Sequence, residues 1–364
     1  MPPLIMRPAS VAAALLALTA GASAACYPAT DDAPLESELV IQGTGGTYWD
    51  KFEAIVAGPF EAECGVDVTF TVTPNRNLNE LRALIRRGGS PWDLVTINTP
   101  WDLQIGTTEG LFEALPEGFW DPVADSLAPG AFNEYGYWNN AYANVIIYST
   151  SEFSEAPSGW ADFWDTEKFP GPRALQDSPT NIIAALIADG LSPDEIYPID
   201  DEKLARAFAK LDELRPEIRA FWTAGDAPVQ GVAKGDFVMS SAYNGRAFNG
   251  IAAGYDIAIQ WNENILSTVW GVIPAKAQHP KAAQALMVFL NRPEIQKQMA
   301  IETGYTSAIA APETLVEPDV AANLATSTEH VAKAIQLDGA WWTDNIARVQ
   351  SLWREWVTTG SVSL

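Results

Sequence analysis

The amino-acid sequence predicts an α/β protein of two lobes with a ligand cleft between them. Short apolar or period-two runs alternate with amphipathic helical stretches, the rhythm of right-handed βαβ units and a mostly parallel sheet. A length of 364 residues suffices for two domains at about 100–200 residues each. Fourteen tryptophans are a large supply, and many aromatics fall in strand-to-helix loops, where a ring meets a partner rather than the sheet interior.

The elements follow in chain order. Residues 1–24 carry one basic residue, Arg7, then an apolar run from Val11 to Ala20, then Ala22-Ser23-Ala24. That run is too short to span a bilayer and ends in a small-x-small site, so it reads as a cleaved export signal and the mature chain as periplasmic. A Pro-containing acidic tether (Pro28 to Glu38) leads to strand Leu39–Gln42, a Gly43–Thr47 loop and a helix from Tyr48 to Glu63 with Phe52, Ile55, Val56 and Phe60 on one stripe. Strand Val66–Val72, helix Leu78–Arg87 and strand Asp93–Ile97 continue the alternation. Further on come strand Ala143–Tyr148, helices Asn181–Ala188 and Asp201–Leu214, strand Phe237–Ser241, helix Gly245–Ala253, and two separate strands, Ile257–Ile259 and Thr268–Ile273. Helices Lys281–Leu290 and Pro293–Glu302 precede a tail, Ala321 to Val357, that reads as helical throughout. Pro293 suits a first turn, where its missing N–H costs nothing.

Composition excludes several functions. Lys+Arg 22 against Asp+Glu 46 gives a net charge of −24, which repels nucleic-acid backbones and anionic lipid headgroups. The two histidines, His279 and His330, lie far apart and read as exposed; there is no HExxH and no GxSxG. Neither a metal site, nor a cofactor, nor catalysis is therefore expected. Cys26 and Cys64, the only thiols, fit a disulfide in an oxidising compartment; Ser23-Ala24-Ala25-Cys26 also has the outline of a weak lipobox.

Two features point to a cleft. Gly43-Thr44-Gly45-Gly46 sits between strand and helix, where it is either a tight turn or a backbone shelf for a ligand; it lacks the Gly-Lys-Ser/Thr of a phosphate loop. Tyr243-Asn244-Gly245-Arg246 stands where a strand enters a helix, and Arg246 either clamps a carboxylate or forms a salt bridge on an acidic surface.

From Leu39 to about Trp356 the chain resembles the periplasmic solute-binding proteins of spermidine/putrescine-type ABC importers. Val272-Ile273-Pro274-Ala275-Lys276-Ala277, the helix to Leu290, Asn291-Arg292-Pro293-Glu294-Ile295 and Glu302-Thr303-Gly304-Tyr305-Thr306 carry the resemblance, with Asp93-Leu94-Val95, Gly235 to Gly245 and Gly339 to Asp344 in support. It implies the type II periplasmic binding protein fold: lobes at 36–142 plus 265–312 and 143–264 plus 313–364, a hinge, and an interlobe cleft. It also implies a monomer that delivers its ligand to a permease–ATPase complex. Family pocket positions fall on Gly45, Gly46, Thr47, Tyr48, Asn98, Trp101, Tyr243, Ser267 to Trp270, Tyr305 and Trp342, and Arg246 joins them. Polyamine binders carry carboxylates where this chain has Ser178, Asn181 and Val269. The expected solute is thus small and nitrogenous, polyamine-like or an ω-amino acid; the alternatives are an anionic solute held by Arg246, or a secreted hydrolase with paired carboxylates.

Overall fold

Two long antiparallel strands form the spine of the molecule. The computed structural model describes residues 34–73 and 78–363; the predicted export signal and Cys26 lie outside them. Strand β1 (Glu38–Gly43) pairs in parallel with β2 (Asp67–Val72) and β3 (Leu94–Ile97). Strand β4 (Gly136–Ser149) and strand β8 (Ile257–Val272) pair with each other from Gly136↔Val272 to Ser149↔Ile257. Between them in sequence come β5 (Arg173–Gln176), β6 (Ile218–Trp222) and β7 (Met239–Tyr243); β9 (Ile335–Gln336) joins β8. The sheet order is β2-β1-β3-β8-β4-β7-β5-β6.

The expectation of a mostly parallel sheet needs correction at its centre. Strands pair in parallel at both ends, β2-β1-β3 and β7-β5-β6. The junction β3-β8-β4-β7 is antiparallel. The end of β8 at Trp270–Val272 runs beside β3, and the end of β4 at Asn144–Tyr148 runs beside β7. Each long strand therefore serves both halves of the sheet.

Apolar burial follows the same division. One cluster gathers Leu39, Ile41, Phe52, Phe60, Leu94, Leu286 and Phe289 around β1, β3 and the helix Pro280–Leu290. Another gathers Leu175, Ile183, Leu186, Phe208, Trp342, Trp353 and Trp356 around β5, the helices Asn181–Ala188 and Asp201–Leu214, and the C-terminal helix Gly339–Thr359.

Most predicted helices stand where their patterns put them. The run from Thr47 to Cys64 is one helical stretch with a widened π turn at Glu53–Ala57. Pro59, just beyond it, has no N–H for the carbonyl four residues back, and a wider turn absorbs that loss. Three expectations change. Ile257–Ile259 and Thr268–Ile273 belong to one strand, because pairing with β4 carries β8 through the polar segment Trp261–Asn264 despite a left-handed residue at Glu263 (φ 60). The tail is not one helix; it breaks into Pro318–Ala321, Thr328–Ala332, β9 and Gly339–Thr359. Neither histidine is a free surface residue. His330 is 5% exposed and stacks on Trp261 with ring centroids 3.8 Å apart. His279 is half-buried, with Nδ1 2.9 Å from Asp93 Oδ2. Cys64 is disulfide-bonded.

Candidate functional site

The parallel strands of both halves end at one cavity of about 810 Å³, the place where open α/β sheets hold ligands. Thr44 and Gly45 follow β1, Asn98, Thr99, Trp101 and Asp102 follow β3, Gln176 with Ser178, Pro179 and Thr180 stands at the end of β5, and Tyr243 and Arg246 lead from β7 into the helix Asn244–Ala252. The long strands add Asn140, Tyr142, Asn144, Ser267 and Val269, and the C-terminal helix adds Ile346, Ala347 and Gln350.

Of the positions named from the sequence, Gly45, Tyr48, Asn98, Trp101, Tyr243, Arg246, Ser267, Val269 and Tyr305 meet on this wall. The structure puts Gly46, Thr47, Thr268, Trp270 and Trp342 off it. Gly46 and Thr47 turn the chain into the first helix, Gly46 with φ 83. Trp270 is 6% exposed in a cluster with Trp92, Ile97 and Phe112, because strand alternation sends it away from Val269, which does line the cavity. Trp342 is fully buried behind Trp101, ring centroids 5.3 Å apart, with its Nε1 donating to Tyr197 Oη at 2.6 Å.

Four tyrosines form much of the wall. Tyr48 meets Tyr305 edge-on at 6.0 Å, and Tyr142 meets Tyr243 edge-on at 5.1 Å. Burial pushes the Tyr243 and Tyr305 hydroxyls well above the usual phenol range, against a smaller pull downward from Arg246. Both hydroxyls are therefore protonated at neutral pH and able to donate.

Charge on the wall is sparse. Asp102 is the only carboxylate among the described lining residues, and it begins the helix Pro100–Thr108, where the Thr99 side chain caps its N–H. Thr99 Oγ1 also donates to Asp102 Oδ2 at 2.7 Å. Burial raises the Asp102 pKa, partly offset by that hydroxyl. Arg82 is held by Glu109 through two hydrogen bonds. Arg246 lies 3.5 Å from Asp226 Oδ1, in the first turn of a helix that has no side-chain cap and no acidic residue in that turn. Ser178 and Val269 line the cavity as neutral groups. Asn181 is 1% exposed and turns inward, donating to the carbonyls of Gln176 and Ser178.

Sequence reasoning missed the polar floor between the two halves. Asn144 Nδ2 donates to Gln176 Oε1 at 3.1 Å, and Gln176 Nε2 donates to Tyr243 Oη at 2.6 Å. Asn140 and Tyr142 also face the cavity from the long strands. The one available signal was polarity inside strands that are otherwise buried.

A sheet split by two crossing strands, with aromatic rings and a few charges where its parallel strands end, defines a protein that grips a small molecule between two lobes. Residues 56–328 match the bacterial extracellular solute-binding protein family. The chain is 31% identical to the gamma-aminobutyric acid-binding protein of Pseudomonas aeruginosa, over 91% of its own length and 93% of that protein. It is 25% identical to the spermidine/putrescine-binding periplasmic protein of Escherichia coli K12, over 72% and 76%. An ABC transporter substrate-binding protein from Bradyrhizobium japonicum USDA 110 superposes with a TM-score of 0.80 at 28% identity, covering 88% of this chain and 99% of that one. The chain belongs to the bacterial extracellular solute-binding protein family, and its fold is the type II periplasmic binding protein fold.

Proposed function

We propose that this protein captures a small ω-amino acid of the γ-aminobutyrate kind and hands it unaltered to a permease–ATPase complex. One observation carries the reading: among the described lining residues the one carboxylate is Asp102, after β3, and the guanidinium not engaged in a bidentate carboxylate pair is Arg246, after β7, Arg82 being held by Glu109, with tyrosine and tryptophan rings on the same wall. That charge pattern complements a zwitterion. A polyamine needs a carboxylate at each ammonium, and an ammonium closed away without one costs about 3–5 kcal/mol as an uncompensated buried charge. A purely anionic solute would face Asp102, and a hydrolase would need two carboxylates where the described wall has one. The relative that binds gamma-aminobutyric acid supports the choice.

In this reading the halves 36–142 plus 265–312 and 143–264 plus 313–364 are the jaws, and β4 and β8 are the straps between them. Asp102 belongs to one jaw and Arg246 to the other, so a bound zwitterion bridges the two and favours closure. The chain works as a monomer in the periplasm, exported by a signal cleaved after Ala24, with Cys64 joined to Cys26. A thermal-shift panel tests the function. At a hundredfold excess over Kd a ligand adds about 2.7 kcal/mol of stability. γ-Aminobutyrate and 5-aminovalerate should raise the melting temperature; a flat response to amino acids, polyamines and dicarboxylates alike overturns small-solute capture.

A further inference from the structure

We propose that Gln176 is a positioning residue that fixes the polarity of the Tyr243 hydroxyl, so that this hydroxyl donates into the cavity and selects a solute with a carboxylate over one with a second ammonium. The inference rests on the function proposed above and adds to it the group that sets the preference.

A phenol oxygen both accepts and donates, so a tyrosine on a cavity wall has no preference of its own. Gln176 removes the ambiguity. Its Nε2 donates to Tyr243 Oη at 2.6 Å, while its Oε1 is occupied by Asn144 Nδ2 at 3.1 Å. Tyr243 thus accepts from Gln176, and its own proton finds no acceptor among the described residues. Turning the Gln176 amide around would require turning Asn144 as well. Asn144 is 5% exposed, with its Oδ1 unpartnered and one N–H given to Gln176; the reversed arrangement would satisfy that oxygen but leave both N–H groups without an acceptor, exchanging an unpaired carbonyl oxygen for a second unpaired N–H, the rarer defect in a buried site.

The backbone of Gln176 is pinned on both sides. Its N–H donates to Ser241 Oγ at 2.8 Å, and its carbonyl accepts from Asn181 Nδ2 at 2.6 Å. Asn181 occupies one of the positions where the polyamine-type pattern has a carboxylate. The side chain that would otherwise meet an ammonium holds the residue that turns Tyr243 into a donor. Arg246, three positions beyond Tyr243, supplies the charge beside that donor.

The test compares Kd for γ-aminobutyrate and for putrescine, which replaces the carboxylate by an amine, by calorimetry on the wild-type protein, Gln176→Glu, Gln176→Leu, Tyr243→Phe and Gln176→Glu with Tyr243→Phe. A glutamate at 176 accepts the tyrosine proton, so γ-aminobutyrate affinity should fall about tenfold and the preference should move toward putrescine. Tyr243→Phe should lose a similar factor, and adding Gln176→Glu to it should cost no more than about twofold. Gln176→Leu, which frees the hydroxyl without adding charge, should shift the preference the same way by a smaller factor. An unchanged preference in Gln176→Glu and Gln176→Leu overturns the inference and leaves the amino-acid reading intact. A full Gln176→Glu loss on the Tyr243→Phe background also overturns it, because the effect is then a through-space charge. Failure of the wild-type protein to bind γ-aminobutyrate overturns both.

Discussion

The ring of Tyr305 lies against the bare backbone of Gly245, so close that a Cβ added at Gly245 would overlap the ring and its hydroxyl. The two residues come from different parts of the chain, Tyr305 from just after the helix Pro293–Thr303 and Gly245 from the first turn of Asn244–Ala252. Asn244 strengthens the same junction, with Nδ2 donating to the carbonyl of Gly304 at 3.3 Å and Oδ1 accepting from Ala143 N–H at 2.9 Å.

Gly245→Ala therefore has to displace Tyr305, a cavity wall. Overpacking of this kind costs about 1–3 kcal/mol, and the displaced ring no longer meets Tyr48. Chemical denaturation and ligand titration should both register the change, with affinity lost as well as stability. Unaltered affinity would place Tyr305 outside the ligand's reach.

Trp101 and Trp342 pack ring against ring at a tilt of 33° yet should respond differently to truncation. Trp342 is fully buried in the C-terminal cluster, so Trp342→Ala should cost about 3–5 kcal/mol of stability. Trp101 is half-buried and lines the cavity, so Trp101→Ala should weaken binding with a much smaller loss of melting temperature. Equal destabilisation by the two would mean Trp101 is core as well.

His330 makes stability depend on pH. Burial lowers its pKa from the ordinary value near 6.5, against the carbonyl of Leu324, which favours the charged form; Glu329, Glu313 and Lys333 are the charged neighbours. The unfolded chain thus binds the proton more readily than the folded one, so stability is full above about pH 6.5 and falls as pH drops below it. His330→Phe keeps a flat ring against Trp261 and removes the titration. Its melting temperature should fall less than that of the wild-type protein between pH 7.5 and pH 5; parallel curves would contradict the assignment.

Asp102 should carry the cationic end of the solute. Asp102→Asn preserves the size of the side chain and the cap at Thr99 but removes the charge, so γ-aminobutyrate affinity should fall by at least tenfold, in line with about 1.5–3 kcal/mol for a hydrogen bond to a charged group. The raised pKa of Asp102 adds a pH signature. Wild-type affinity should decline as the solution is acidified toward that pKa, and the variant's should not.

How much of this was visible in the residues varies with the physics that set each element. Asn181–Ala188 and Asp201–Leu214 stand where their patterns placed them, because each carries a strong apolar pattern bounded by helix-breaking neighbours. Strand β5 was invisible: four residues long, it begins with Arg173, fully buried and satisfied by the carbonyls of Phe163, Gly171 and Phe169. A charged residue in a core strand has no pattern to announce it. The aromatic walls were legible because rings in loops need a partner. Asn144 and Gln176 were not, since polar strand positions normally face water and only the crossing of β4 and β8 turns them toward an internal cavity. Trp270 was misplaced by one step of strand alternation, which sets the face but cannot be phased from sequence where both faces are buried.

Calorimetric competition between γ-aminobutyrate and putrescine, on the wild-type protein and on Arg246→Ala, tests the grip on a zwitterion most directly. One γ-aminobutyrate per chain should bind, and bind tighter than putrescine. Arg246→Ala should lose most of that affinity while gaining or keeping affinity for the diamine. Tighter binding of putrescine by the wild-type protein, or an Arg246→Ala variant that holds γ-aminobutyrate as firmly as before, would contradict it.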